Sequence, residues 1–194
     1  MSQAESRFFP NISGGSPKPA ILLLQDETDL HLCPDLETRG LHSLGSQTVV
    51  RAPGRDEVAY LYGSAAPFSG EGLYEIQPGK TAADFSCHLD HLMQMWPNHF
   101  LFVACDNAPS HRARATQAYL KDFQDRIELV FFPTYSPNLN WIERLWRYLR
   151  GQTTRNHVYV SLPQQCEQII AWLEHLSFEQ VIQTLGGMNK FATS

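Results

Sequence analysis

Short apolar runs alternate with amphipathic stretches along this chain. The runs at 20–25 and 100–105 are apolar on both faces, which predicts two buried, central strands. Shorter runs bounded by Gly, Pro and polar clusters predict further strands at 48–51, 57–62, 72–77 and 127–132. Three or four strands in a meander, followed by alternating helices and strands, predict an α/β fold with a mixed sheet flanked by helices.

Helical periodicity accounts for the stretches between and after these runs. Thr81 predicts a helix start, because its hydroxyl can accept the amide of Asp84 in a capping box. Ser161 is a cap of the same kind, Gly186 is a stop signal, and Ser177 is a point where the last helical region can divide. The remaining helices are predicted at 110–122, 140–150 and 163–185.

Composition sets the broad class. A chain of 194 residues with 43% apolar and 18% charged residues suits one globular domain with a full core. No apolar run approaches the length of about eighteen residues that a membrane span needs, and the first ten residues lack the features of a signal peptide. The four scattered cysteines show no zinc spacing, which predicts reduced thiols in a cytosolic protein.

The net charge of −5 argues mildly against a strong nucleic-acid binder, because neutralising phosphates needs clustered Lys and Arg. Such a cluster exists locally, although a solvated helix face explains it more often than a ligand does. The charge therefore leaves a DNA partner possible without pointing to one. The clustered residues are Arg144, Arg147, Arg150 and Arg155.

Three carboxylates stand in distinctive positions. Asp26 and Asp106 follow the two apolar runs, and Glu143 lies at the start of an amphipathic helix. Carboxylates at strand ends and near a helix start can converge on one edge of a sheet. Converged carboxylates repel one another unless a hard cation such as Mg²⁺ neutralises them. The pattern therefore suggests metal-dependent chemistry on phosphodiesters.

Each carboxylate also has a plain structural explanation. Asp26 can begin a turn after its strand, and Asp106 can cap the following helix. Glu143 lies three residues after Asn140, so the two can form a capping box. For an isolated residue these explanations are the stronger ones, and the neighbouring motifs change the balance.

Three motifs surround the carboxylates: Asp26-Glu27-Thr28, the segment 106–111 (DNAPSH) and the segment 135–146 (YSPNLNWIERLW). With them the chain resembles the catalytic domain of a DDE transposase of the mariner-like superfamily, in its bacterial insertion-sequence branch. The resemblance covers roughly residues 20–160 and implies an RNase H-like fold. The third motif is the most specific, although Trp141 stands where the family usually has Pro.

The resemblance implies a mechanism and a set of site residues. Asp26, Asp106 and Glu143 would form the catalytic, metal-binding triad for two Mg²⁺ (or Mn²⁺) ions. These ions would support DNA strand cleavage at the element ends and then strand transfer into target DNA. Possible supporting residues behind the triad are Glu27, Asn107 and His111, and possible DNA-binding residues are Arg144, Arg147 and Arg150.

Residues 1–19 read as a linker-like segment and residues 20–194 as the catalytic domain. A helix-turn-helix domain, which such transposases usually carry, is not expected here, which suggests either one reading frame of a split element or a truncated remnant. The expected partners are DNA (terminal repeats and target) and a second copy or an upstream DNA-binding subunit, with no membrane. The expected location is the cytoplasm, at the nucleoid when on DNA.

Two other functions compete with this interpretation. A non-catalytic fragment could regulate DNA binding or assembly by pairing with a full-length partner, and the intact triad does not exclude this. Another RNase H-like nuclease, such as a junction resolvase, is a further possibility. The segment 135–146 weighs heavily against the resolvase.

Overall fold

The structure, a computed structural model, describes residues 18–32, 57–133, 140–155 and 157–186. The strand predicted at 48–51, most of the linker-like segment and residues 135–139 of the third motif lie outside these ranges. One five-stranded mixed sheet, in the order β3-β2-β1-β4-β5, forms the centre of the described fold. Its strands are β1 (Ala20–His31), β2 (Val58–Ala65), β3 (Gly72–Gln77), β4 (Phe100–Cys105) and β5 (Ile127–Phe131).

The central strand β1 has two halves with different neighbours. Its first five residues pair in parallel with β4, and residues 24–31 pair antiparallel with β2. The prediction of a strand ending near residue 25 was therefore wrong, and Asp26 lies within β1. Thr28 and Leu30 are buried while Asp29 is exposed, so the twofold alternation of a strand continues through the polar stretch.

The other strand predictions need smaller changes. Those at 72–77 and 100–105 are confirmed to the residue as β3 and β4. Strand β2 begins one residue later than predicted and runs three residues further, and β5 ends one residue earlier. Together with the flanking helices described next, this sheet confirms the predicted α/β fold.

Helix α1 (Ala82–Met95) begins with the predicted capping box between Thr81 and Asp84. The helix predicted at 110–122 is divided into α2 (Pro109–Arg112) and α3 (Arg114–Asp122), because Ala113 has an extended ψ of 147°. None of the described helices is long and apolar enough to cross a membrane.

The C-terminal helices pack together on one side of the sheet. Helix α4 (Ile142–Leu149) continues into a π-helical turn (Arg150–Thr154). The predicted long last helix consists of α5 (Leu162–Glu174) and α6 (Phe178–Leu185), capped by Ser161 and Ser177 as predicted. Gly186 ends α6 with φ 105°, a left-handed conformation that suits glycine.

The sheet separates two hydrophobic layers. Alternation along β1 sends Leu23 into the layer formed with α1, and Leu24 into the layer formed with α4, α5 and α6. By the same alternation Asp26 belongs to the α4 side. Glu27 belongs to the α1 side.

Candidate catalytic site

The strand register brings the first two acidic residues together. The parallel β1–β4 ladder ends with the pair Leu24–Ala104, and Asp26 and Asp106 each lie two residues beyond it, Asp26 within β1 and Asp106 directly after β4. Neighbouring strands lie about 4.8 Å apart. Consistent with this placement, the charge of Asp106 contributes to a raised pKa at Asp26. Two residues 80 positions apart in sequence thus lie side by side.

Helix α4 places the third acidic residue across the same groove. Its apolar side packs into the core through Ile142, Leu145, Trp146 and Leu149. That packing leaves Glu143, Arg147 and Arg150 on the solvent side, at the i, i+4 and i+7 positions of one face. These three residues and Asp26 line one groove of about 510 Å³.

Asp26 is a half-buried carboxylate in a negative environment. Burial, followed by the charges of Glu27 and Asp106, raises the pKa of Asp26 to about 7, although hydrogen bonds from the backbone and from Trp146 oppose this shift. The indole Nε1 of Trp146 donates to Asp26 Oδ2 at 3.1 Å. A cation bound beside this carboxylate would offset the neighbouring negative charges and stabilise the ionised form of Asp26.

His111 joins the first two motifs from the α1 side. It is 1% exposed; Nε2 donates to Glu27 Oε1 at 3.0 Å, and Nδ1 donates to the backbone carbonyl of Asp106 at 3.1 Å and lies 3.1 Å from Asp106 Oδ1. Burial alone would lower the pKa of His111, but hydrogen bonds to Asp106, Cys105 and Glu27 raise it to about 12. These hydrogen bonds favour the imidazolium form of His111, and the interaction with His111 lowers the pKa of Asp106.

Asn107 connects the loop after β4 to the residue that follows β5. Its Nδ2 donates to the carbonyl of Phe132 at 2.8 Å, and its Oδ1 accepts from Arg112 Nε at 2.9 Å. The guanidinium of Arg112 also lies 4.6 Å from the centroid of the Phe131 ring. These contacts link Asn107 to the end of β5.

The three predicted DNA-contacting arginines separate into two groups. Arg147 and Arg150 line the groove, and Arg150 Nη2 donates to Thr28 Oγ1 at 2.5 Å. Arg144 Nη1 donates instead to the carbonyl of Leu185 at 3.3 Å, against Gly186. The structure thus places Arg144 at the end of α6, and not among the residues that line this groove.

Of the structural explanations considered for Asp106 and Glu143, the structure shows the first and not the second. Asp106 Oδ1 does accept the amide of Ala108 at 2.9 Å, so Asp106 also starts the turn into α2. The capping box between Asn140 and Glu143 does not form, because α4 begins at Ile142 with Trp141 as its N-cap and no side-chain cap; Asn140 Nδ2 donates instead to Glu143 Oε1 at 3.4 Å. The Glu143 side chain is exposed towards the groove.

The donor chemistry of the triad fits a hard divalent cation. Three carboxylates from β1, the end of β4 and α4 offer the oxygen ligands that Mg²⁺ and Mn²⁺ take. As they stand, the described residues contain no three His, Cys, Asp or Glu side chains close enough to hold one ion. The fit rests on the chemistry of the donors and on the negative environment that raises the pKa of Asp26.

A second groove, of about 630 Å³, continues from the first past Arg150. The two grooves share Glu27, Thr28, Arg150 and Arg155. The second adds His31, His157 and Lys80, and Lys80 Nζ lies 2.5 Å from Asp29 Oδ1 in the same groove. The local Arg cluster was visible in sequence, but Lys80 is distant along the chain and no local pattern connects it to the site.

Comparison with known proteins decides the family. The chain matches the family model described as DDE superfamily endonuclease over residues 22–164, well over half of its length. The chain belongs to the DDE superfamily. It is also 33% identical, over 156 residues, to an uncharacterized 39 kDa protein of the insertion element IS630 from Shigella sonnei. This alignment covers 79% of the chain and 44% of that relative.

Solved structures agree on the fold. The chain is similar to Mos1 transposase in its paired-end complex with the left transposon end, with a TM-score of 0.68 and 20% identity, covering 84% of this chain and 51% of that one. It also resembles the Mos1 mariner transposase catalytic domain, with a TM-score of 0.60 and 19% identity, covering 84% of this chain and 74% of that one. These structures confirm the predicted RNase H-like fold, and the family model confirms the predicted DDE membership. The chain spans about half the length of these relatives' full chains.

Proposed function

We propose that this chain is the catalytic part of a DDE transposase that cleaves DNA strands and transfers them to target DNA. Asp26, Asp106 and Glu143 are the proposed catalytic and metal-binding triad. The observation that supports the proposal is the register of β1 and β4, whose last pair, Leu24–Ala104, lies two residues before Asp26 and Asp106, together with the groove that Asp26 and Glu143 line. Because the chain belongs to the DDE superfamily of endonucleases, we interpret these carboxylates as metal ligands.

The triad would hold Mg²⁺ or Mn²⁺, and we propose two ions. Such ions, once bound, supply Lewis-acid activation of the attacking and leaving oxygens of a phosphodiester. Mos1 has been solved with Mn and with Mg. In this chain His111 supports Asp106 and Glu27 through hydrogen bonds, and Asn107 fixes the loop that carries Asp106.

DNA is the proposed substrate, as terminal repeats and as target. The Mos1 structures include a complex with a transposon end and a strand transfer complex, and the groove beside Asp26 and Glu143 is lined by arginines, the residue type that contacts phosphates. Arg147 and Arg150 are the proposed phosphate contacts beside the triad. A second copy of the chain or a separate DNA-binding subunit is the proposed protein partner, acting in the bacterial cytoplasm.

Nicking of a supercoiled plasmid in MgCl₂ or MnCl₂ tests the proposal. Wild type should nick, and Asp106→Asn should reduce the nicking rate by about 100-fold or more. We expect a loss of this size because the substitution removes a metal ligand itself, whereas loss of a residue that only orients a ligand has a smaller effect. Asp125→Asn is a matched control, since this exposed carboxylate lies outside the site. Equal nicking by wild type and Asp106→Asn would contradict the triad. DNA binding by wild type without nicking in either metal would favour a non-catalytic regulator.

A further inference from the structure

Helix α4 carries a second group aimed at the carboxylates. Trp146 lies one turn after Glu143 on α4 and is 3% exposed. Its Nε1 donates to Asp26 Oδ2 at 3.1 Å, and this is the one hydrogen bond that the indole N–H can make. One helix therefore supplies both Glu143, at the groove, and the donor that holds Asp26.

The sheet is shaped to accept this indole. Gly63 on β2 is the antiparallel partner of Asp26, and a Cβ atom at Gly63 would lie 2.3 Å from Trp146 Cη2 and 2.8 Å from Cζ2. Any larger residue there would push the ring away from its present position. The absence of a side chain at Gly63 is what lets the indole lie against the strand beside Asp26.

A residue on a third strand completes the surface against which the indole packs. Tyr74 on β3 is the register partner of Gly63, and its ring meets the Trp146 indole edge-on, with centroids 6.5 Å apart and an interplanar angle of 77°. The row Asp26, Gly63 and Tyr74 thus crosses three strands beneath one side chain. Apolar packing alone fills space around a ring, whereas this row also fixes which way the N–H points.

We propose that Trp146 is a positioning residue that holds Asp26 through Oδ2 and orients this carboxylate for a divalent cation, with Gly63 as the residue that makes room for it. The inference rests on the proposed metal site. Groups that hold metal ligands in place typically change metal affinity by about 10–100-fold when removed. A residue that only packs changes stability and leaves affinity for the ion unchanged.

Titration of Mn²⁺ alone into the full chain, followed by calorimetry, tests the inference. Trp146→Phe keeps an aromatic ring and removes the N–H, and we expect it to weaken Mn²⁺ binding about 10-fold. Trp172→Phe is the matched control, because Trp172 packs against the same hydrophobic cluster and contacts Tyr148. We expect the control to lower the melting temperature without changing Mn²⁺ affinity.

Two approaches keep the test decisive if Trp146→Phe folds poorly. Gly63→Ala retains the N–H but displaces the ring, and it should weaken Mn²⁺ binding in the same direction. In wild type, the Trp146 indole N–H resonance should shift on adding Mg²⁺ and broaden on adding Mn²⁺. The resonance of Trp172 should change less than that of Trp146 with either ion.

The outcomes separate the inference from the function on which it rests. Wild-type binding that is weakened by Trp146→Phe and retained by Trp172→Phe supports the inference. Equal Mn²⁺ affinity in wild type and Trp146→Phe overturns it and leaves the metal site standing. No Mn²⁺ binding in wild type, with or without a DNA end, overturns the proposed metal site and the inference with it.

Discussion

Two buried histidines on the same side of the sheet, His88 and His111, have similar partners and different surroundings. His88 is 0% exposed, its Nδ1 lies 2.5 Å from Glu75 Oε1, and its Nε2 lies 2.8 Å from Ser64 Oγ. His111 is 1% exposed and joins Glu27 to Asp106. Its second carboxylate, Asp106, is 53% exposed, whereas Ser64 is 0% exposed.

The comparison shows that the arrangement of side chains does not by itself make a catalytic site, because the site must also be accessible to substrate. Ser64, His88 and Glu75 have the order of a nucleophilic triad. Ser64 is nevertheless sealed in the core, so a substrate carbonyl cannot reach it. His111, by contrast, supports a carboxylate that reaches solvent, so of these two networks it is the one that a large substrate can approach.

His88→Ala should have the largest effect, and on stability. The change leaves a cavity, removes the partner of Ser64 and removes one of the three partners of Glu75, so we expect a loss of about 3 kcal/mol in the free energy of unfolding. Urea unfolding measures it. Nicking per folded molecule should stay at the wild-type rate, and a selective loss of nicking would give His88 a role in the site.

His111→Gln should affect nicking more than stability. A glutamine amide cannot supply the positive charge that His111 places between Glu27 and Asp106, so we expect nicking to fall about 10–100-fold. The free energy of unfolding should fall by less than in His88→Ala. Nicking at the wild-type rate in His111→Gln would remove the proposed distinction between the two histidines.

Glu75 predicts a smaller, pH-dependent effect. Burial raises its pKa, but hydrogen bonds from His88, His91 and Gln77 and the charge of His88 outweigh burial and leave the pKa below its ordinary value of 4.5. A lowered pKa means that Glu75 stabilises the fold above pH 4.5 and that this stabilisation disappears as the pH falls through the folded-state pKa.

The test compares urea midpoints between pH 6 and pH 3.5 in wild type and Glu75→Gln. The wild-type midpoint should fall more steeply with acid than that of the variant. Glu71→Gln is the control, because Glu71 contacts the neighbouring Ser69 at an exposed turn. Parallel curves for wild type and Glu75→Gln would contradict the assigned role of Glu75.

Ser64→Ala should have the smallest effect. It removes one hydrogen bond to His88 and leaves the imidazole its bond to Glu75, so we expect a loss of about 1 kcal/mol. Metal-dependent nicking should be unchanged. Loss of nicking in a folded Ser64→Ala protein would show that the sealed network contributes to the reaction.

Local pattern was sufficient for much of the fold. Strand β4 could be predicted because its residues are apolar on both faces. Three helix starts could be predicted from the capping residues Thr81, Ser161 and Ser177. These features depend on residues within a few positions of one another. The three carboxylates and their motifs were likewise readable along the chain, and the family they suggested is confirmed.

Contacts between distant residues needed the folded chain. The length of β1 depends on β2, which pairs with its polar half, and the bond between Trp146 and Asp26 depends on where α4 crosses the sheet. Periodicity shows which face of an element is apolar, but it carries no information on which element will cover that face. Arg144 and Arg147 look alike in sequence for this reason, and packing alone sends one to the end of α6 and the other to the groove.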